Sequence, residues 1–219
     1  MNIKFRLAKP SDAKELAALH YKIKDLDGRG IFSQMGKVFL RTYYNIILDD
    51  SNEVVLCAYN ENGITGFASA TLDVEQQFKK LRKHKFKLFL SSLPSIIFKP
   101  SLFFELLKRY NSTKKVTKNK YVISKGARGE YWVWDPDNHQ SIYASVLNNK
   151  HIEILHILGV KSYNFEVDSK NIGVYKFSLN NGATEVSREK LPDGRERIIM
   201  NYDVKNMFKI RKVNKIDRK

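Results

Sequence analysis

Apolar side chains recur along the chain with two periods, and each period predicts a different element. Alternation of apolar and polar residues, or a short continuous apolar run, is typical of strands. These patterns predict strands at residues 3–7, 53–60, 63–72, 129–134, 161–167, 184–191 and 195–204. Apolar residues three or four positions apart are typical of helices, and they occur after Ser11, over 30–48, twice within 78–110, from His139 to Leu158 and over 169–181. The predicted order is β-α-α-β-β, a helical insertion, then β-α-β-α-β-β. This order is an α+β fold with a mixed sheet.

Turn and capping residues set the predicted boundaries of these elements. Ser11 is placed to cap the first helix and Ser33 the second, because a side-chain oxygen can accept from the free N–H groups of a helix start. The letters NENG predict a hairpin between the second and third strands. Two prolines predict that the helical run of the insertion breaks into two amphipathic helices, and two glycines end later helices; these residues are Pro94, Pro100, Gly159 and Gly182.

The length of 219 residues fits one domain. We expect this domain to cover residues 1–204, with a basic helical insertion at about 75–125 and a basic tail at 205–219. No apolar run approaches the ~20 residues that span a membrane, and the first residues lack the apolar core of a signal peptide. The single cysteine, Cys57, excludes a disulfide framework and indicates a reducing cytoplasm.

The net charge of +16 comes from two segments. Residues 75–125 hold 14 Lys and Arg against two Glu, and residues 205–219 hold seven against one Asp. Such segments attract phosphates, nucleic acid or anionic membranes, and they also solubilise a surface. The apolar faces of the insertion leave three alternatives open: packing on the domain, pairing with a second subunit, or lying on a membrane surface. Nucleic acid is the weakest partner prediction, because no recognised binding motif accompanies the charge.

The sequence contains little that indicates a nucleotide-binding motif or a metal site. Neither a Rossmann nor a P-loop glycine pattern occurs. His20, His151 and His156 lie on helical faces without a carboxylate or cysteine at metal-ligand spacing, so we predict no metal.

The element order and several local motifs resemble the GNAT superfamily of acyl-CoA-dependent N-acyltransferases over roughly residues 1–204. IKFRLAKPSDAKELAALH is similar to the first strand and helix of that family, and GIFSQMGKVFLRTYY to the second helix of one branch, associated with bacterial surface-sugar genes. The Lys-rich insertion after the third strand also resembles that branch. The resemblance implies acetyl-CoA as co-substrate and an amine as acceptor.

The resemblance also implies where coenzyme A binds. Family members receive the pantetheine arm between two splayed strands and hold the pyrophosphate at a helix start, where N–H groups are free. The splayed strands would be residues 131–134 and 163–167. The implied cofactor-binding residues are Trp132, Val133, Trp134, His139, Gln140, Ser141, Ile142, Tyr143, Ala144, Asn171 and Phe177.

The sequence departs from the family at several of these positions. His139 stands where the family has Arg or Gln. Ile142 and Ala144 stand at two positions where the family has small residues, usually Gly, and the Ile142 side chain would obstruct the phosphate. We therefore expect a weaker or displaced phosphate cradle. Ser178 falls where the family has the tyrosine that protonates the leaving thiolate, and a serine hydroxyl is a much poorer acid. Glu130, at the start of the splayed strand, is the candidate base.

The implied acceptor site is the loop between the first two helices, with Asp25, Asp27, Arg29 and Phe32. The resemblance therefore implies an N-acyltransferase that moves an acetyl group to a small-molecule amine, such as a nucleotide-linked or lipid-linked amino sugar. The alternative is a binding module that keeps the fold, has lost catalysis, and acts through its basic insertion on a protein partner, a membrane surface or nucleic acid.

Overall fold

A computed structural model describes residues 2–24, 31–116, 125–191 and 194–207. Seven strands form one sheet in the order β1-β2-β3-β4-β5-β7-β6. The strands are β1 (Lys4–Leu7), β2 (Glu53–Asn60), β3 (Gly63–Thr71), β4 (Arg128–Trp134), β5 (Tyr163–Asp168), β6 (Ala183–Lys190) and β7 (Glu196–Tyr202). The helices are α1 (Ala13–Lys22), α2 (Ile31–Gln34), α3 (Gly36–Ile47), α4 (Val74–Lys83), α5 (Lys85–Phe98), α6 (Ser101–Val116), α7 (Ile142–Ile157) and α8 (Ile172–Asn180). The predicted mixed α+β fold is confirmed.

Strand pairing divides the sheet into two antiparallel parts. β1 to β4 pair antiparallel as successive neighbours, and β5, β7 and β6 form the second antiparallel part. The two parts meet where β4 runs parallel to β5. A parallel junction needs a crossover helix, and α7 supplies it.

The alternating side chains of β2 and β3 bury both faces of the sheet. Val55, Cys57 and Phe67 pack against α1 and α3 in one core cluster. Val54 and Ala70 lie on the opposite face and pack against α7. The continuous apolar runs of these strands follow from burial on both sides.

Two predicted helix caps are wrong. Ser11 lies inside a single 3-10 turn, Pro10–Asp12, and the Asp12 carboxylate instead accepts from Lys9 N at 2.7 Å and pairs with Arg6. Ser33 lies within the short helix α2, where it is buried. At the starts of α1 and α3 no side chain caps the helix, because capping preference is local and weak against tertiary contacts.

The insertion between β3 and β4 contains three helices in its described part, where the sequence predicted two. α4 begins at a cap that the prediction omitted: the Asp73 carboxylate accepts from Glu75 N and Gln76 N. Pro100 separates α5 from α6 as predicted, whereas Pro94 lies inside α5. Pro94 and Leu90 are both exposed, so water can hydrogen-bond the Leu90 carbonyl that the missing N–H leaves free.

Candidate active site

β4 and β5 are hydrogen-bonded only at their first residues and then separate. Their register ends after Arg128 opposite Asn164 and Gly129 opposite Phe165. A β-bulge lies at the same point, because Tyr131 pairs with Ser69 and Gly129 with Ala70, leaving Glu130 as the extra residue. Bulges bend a strand and end its pairing. The two strands therefore open into a V, at the place where the resemblance implied splayed strands, residues 131–134 and 163–167.

A cleft of about 750 Å³ occupies this opening. On β4 its lining extends from Arg128 to Val133, and on β5 it includes Tyr163 and residues 165–168. The cleft reaches both faces of the sheet, where it is lined by His20, Ile23, Ile31, Phe32, Tyr43, Phe78 and Leu81 on one side and by Asn148, His151, Asn171, Val174 and Ser178 on the other. An extended molecule could therefore pass between the strands.

Glu130 is held at the base of the V by two partners. Arg128 donates to Oε1 of Glu130 from Nη2 at 2.5 Å and from Nε at 3.1 Å. Tyr43 on α3 donates its hydroxyl to Oε2 at 2.8 Å. The Glu130 side chain is only 8% exposed. Both oxygens are thus occupied by donors, which reduces the capacity of this carboxylate to take a proton from an acceptor.

A second carboxyl group lies in the same polar network. Arg128 Nη2 donates to Gln77 Oε1 at 2.9 Å, and Gln77 Nε2 donates to Glu53 Oε2 at 3.1 Å. Oε1 of Glu53 is shielded from solvent and has no hydrogen-bond partner among the described residues. Burial, with the neighbouring Glu130 charge as a second cause, raises the pKa of Glu53 from 4.5 to about 8. Glu53 is therefore mainly protonated at neutral pH.

Two buried histidines beside the cleft are neutral. His20 Nδ1 lies 2.7 Å from the Tyr44 hydroxyl, and His151 Nε2 lies 3.1 Å from the Val54 carbonyl oxygen. Burial lowers the pKa of each to about 4. His20 also contacts the Tyr131 ring at a centroid distance of 4.6 Å. These contacts give both histidines a structural role.

α8 carries three of the residues predicted to contact pantetheine. Asn171 caps the helix by accepting from Val174 N at 3.2 Å, and it lines the cleft. Ser178 also lines the cleft and is buried. Phe177 packs against Trp132 of β4, with ring centroids 4.7 Å apart. This aromatic contact joins α8 to β4 across the V, so it narrows the opening on the α7–α8 side.

The predicted phosphate cradle lies at the far end of β4 and is internally hydrogen-bonded. Gln140 N donates to Asn138 Oδ1, Tyr143 N to Gln140 O, and Ala144 N to Ser141 O, each at 3.0 Å. These turns delay the start of α7 to Ile142, three residues after the predicted His139. A phosphate would have to compete with bonds that already exist.

Aromatic side chains brace the loop that carries this cradle. Trp134 Nε1 donates to Asn138 O at 3.1 Å and Trp132 Nε1 to Ala144 O at 3.0 Å. Tyr143 packs on Phe5, whereas His139, Ser141 and Ile142 are exposed.

The predicted acceptor residues are only partly described. Asp25, Asp27 and Arg29 lie outside the described residues. Phe32 lines the cleft, and its ring contacts Tyr43 at 5.1 Å and Tyr131 at 6.2 Å. The rings of these residues and His20 form an aromatic wall on the α1–α3 side of the V.

Arg128 and Tyr43 belong to this site but were not predicted from the sequence. Arg128 precedes Glu130 by two positions, which indicates a shared strand face. Tyr43, in contrast, lies far away in the chain, and its apolar stripe on α3 predicted a core position only.

Within the described ranges, no group of three or more His, Cys, Asp or Glu residues is arranged to hold a metal ion, and no helix there could span a membrane.

Solved structures with the same architecture are GNAT acetyltransferases. A GNAT-family acetyltransferase from Staphylococcus aureus Mu50 has a TM-score of 0.56 at 13% identity, covering 93% of this chain and 99% of that one. The ribosomal-protein-S18-alanine N-acetyltransferase from Escherichia coli has a TM-score of 0.54 at 13% identity, with 93% and 94% covered. A GNAT acetyltransferase from Streptococcus pneumoniae has a TM-score of 0.54 at 12% identity, with 92% and 98% covered. No protein-family model and no curated protein matches the chain.

The protein therefore has the fold of the GNAT acetyltransferases. Its β4–β5 opening lies at the junction of the two antiparallel halves of the sheet, the position that the resemblance assigned to coenzyme A.

Proposed function

We propose that the protein is an N-acyltransferase that moves an acetyl group from acetyl-CoA to an amine. The observation that carries this proposal is the separation of β4 from β5 around a cleft of about 750 Å³ open to both sheet faces. Two substrates could then approach from opposite faces and meet between the strands. Asn171 and Ser178 line the side assigned to pantetheine, and Phe32 and Tyr131 the side assigned to the acceptor.

The reaction would be direct attack within a ternary complex. The neutral amine nitrogen attacks the thioester carbonyl carbon, a C–N bond forms, and the C–S bond breaks to release coenzyme A as its thiol. Backbone N–H groups on the unpaired edge of β4 can polarise the carbonyl oxygen. The proton lost by nitrogen would leave through water, since both oxygens of Glu130 already accept from Arg128 and Tyr43, and water would return a proton to the departing thiolate. Positioning, rather than strong acid–base catalysis, would supply most of the rate.

The chemistry of the cleft supports a small acceptor with a flat or cyclic body. Aromatic rings on the α1–α3 side can cover the apolar face of a sugar ring, while Arg128 offers a charge to a polar substituent. We therefore propose an amino sugar as acceptor, linked to a nucleotide or lipid whose phosphates the basic insertion attracts. The single cysteine, Cys57, is buried, which fits a reducing cytoplasm as the place of action.

A second candidate function is a binding module without catalysis. Three observations favour it: the internal hydrogen bonds of the 138–144 loop, the contact of Trp132 with Phe177 across the opening, and a serine, Ser178, in place of the acidic tyrosine. Acetyl-CoA binding separates the two candidates, because a module of this kind would bind it weakly or not at all.

Asn171→Ser tests the pantetheine contact. Serine preserves the helix cap but removes the side-chain amide donor, so we expect acetyl-CoA affinity to fall about tenfold, the value of one hydrogen bond. The measurement is titration calorimetry, with the melting temperature as a check on folding. Asn180→Ser, on an exposed position of the same helix, is the matched control and should bind like the wild type. Equal affinity of all three proteins would remove Asn171 from the site.

A further inference from the structure

The helix α5 packs on the domain through small polar residues. Ser92 is buried, and Ser95 Oγ donates to the Met35 carbonyl at 2.6 Å, just before α3 begins. A Cβ on Gly36 would clash with Ser95 Oγ, so only glycine permits this close approach. Leu88 adds an apolar contact on the same inward side. The position of α5 against α3 is therefore determined by a serine-rich face.

The opposite face of α5 carries large apolar side chains that contact solvent. Phe86 is 69% exposed, Ile97 72% and Phe98 90%. Phe86, Phe89, Leu90, Leu93 and Ile97 recur at three- and four-residue spacing, so they form one stripe about 17 Å long. α6 continues the pattern with exposed Phe103, Phe104 and Leu107. Ordinary surface helices bury their apolar face, whereas α5 exposes its large apolar side chains to solvent.

A dense positive charge adjoins this stripe. Residues 79–99 contain seven Lys and Arg and no Asp or Glu. Five of these cations lie before or within the first turn of α5 and are exposed: Lys79, Arg82, Lys83, Lys85 and Lys87. Lys85 and Lys87 directly precede and follow Phe86, so they project to the two sides of the stripe. Long cationic side chains beside an apolar face are typical of helices that lie in a membrane interface.

We propose that the exposed face of α5, extended by α6, docks on an anionic lipid surface. The apolar stripe would enter the boundary of headgroups and acyl chains, and the flanking cations would contact lipid phosphates. A second copy of this chain is a poorer occupant, because it would bring a second set of the same cations to the interface, and residues 79–99 contain no Asp or Glu to pair with them. Nucleic acid explains the charge but not the outward Phe and Leu side chains. Adsorption to lipid can be measured without acetyl-CoA or an acceptor, so its failure is distinguishable from failure of the proposed acyl transfer.

Vesicle co-sedimentation tests the proposal with the full chain. We expect adsorption to phosphatidylcholine vesicles that contain phosphatidylglycerol and little adsorption to phosphatidylcholine alone, with weaker binding at high salt. Phe86→Glu with Phe89→Glu should lower the partition coefficient at least tenfold, since each buried Phe accounts for about that factor. Ile157→Glu is the matched control, because Ile157 is a 75% exposed apolar residue at the end of α7. It should adsorb like the wild type.

Other results would overturn the proposal. These are a wild type that fails to adsorb, or adsorption that the Phe86 and Phe89 changes leave unaltered. A dimer by light scattering that these changes dissociate, without vesicle adsorption, would assign the face to a second copy. Salt-sensitive binding to a DNA duplex without vesicle adsorption would assign it to nucleic acid. Unchanged circular dichroism and melting temperature in each variant establish that folding is not the cause.

Discussion

Replacing Arg128 with methionine is expected to lower the free energy of unfolding by about 3 to 5 kcal/mol. Arg128 donates two hydrogen bonds to Glu130 and one to Gln77, and the Glu130 side chain is almost completely shielded. Methionine fills most of the space of the arginine stem but provides no donor. Glu130 would then be a buried carboxylate held by Tyr43 alone, with Glu53 nearby. The variant therefore loses the positive charge that compensates Glu130, whereas the volume of the side chain changes little.

Urea denaturation of the wild type and the variant measures this effect, and two controls isolate it. Arg188→Met removes an exposed arginine that pairs with Glu185, and surface pairs of this kind contribute little, so its midpoint should stay close to that of the wild type. Adding Glu130→Gln to Arg128→Met should recover part of the loss, because the amide has no charge to bury. Equal effects at Arg128 and Arg188 would contradict the buried network.

Replacing Glu53 with glutamine is expected to stabilise the protein at pH 7 by about 3 kcal/mol. The pKa of Glu53 is raised from 4.5 in an unfolded chain to about 8 in the fold. Between these values the folded state holds a proton that the unfolded state releases, so this group makes folding less favourable as pH rises. Each pKa unit corresponds to 1.36 kcal/mol, and pH 7 lies about two and a half units above 4.5. Glutamine has no proton to release and avoids this cost.

The difference between the two unfolding free energies across pH 4 to 9 is the observable. It should be small below pH 4.5, grow through neutral pH, and level off above about pH 8. Glu185→Gln is the control, since Glu185 lies on the surface of β6 and donors from Arg188 and Tyr175 lower its pKa. The free energy of unfolding of that variant should not rise above that of the wild type as pH increases. A Glu53→Gln curve parallel to the wild type would show that Glu53 is ionised in the fold.

The sequence predicted the fold because strand and helix periods are local signals. Continuous apolar runs identified β2 and β3, and the Gly182 stop identified the end of α8. The separation of β4 from β5 could be anticipated only through the resemblance, because pairing is a property of two strands distant in the chain. Asn171 was predicted inside the helix over 169–181 and instead caps α8, which begins at Ile172.

Other features depend on contacts between distant residues. The bond from Tyr43 to Glu130 joins residues 87 positions apart, and no periodicity indicates it. The inward serines and outward phenylalanines of α5 share one helix, and the apolar stripe alone predicts burial of the wrong face. Only the packing of Ser95 on Met35 shows which face contacts the domain.

Titration of acetyl-CoA into the purified protein at moderate salt measures whether the cleft between β4 and β5 accepts the co-substrate. We expect a dissociation constant in the micromolar range, about −8 kcal/mol at 1 μM, and a stoichiometry of one per chain. Such binding would show that the opened strands accept the co-substrate despite the hydrogen-bonded 138–144 loop. No binding heat up to millimolar acetyl-CoA would contradict the proposed acyl transfer and would favour a binding module that keeps the fold.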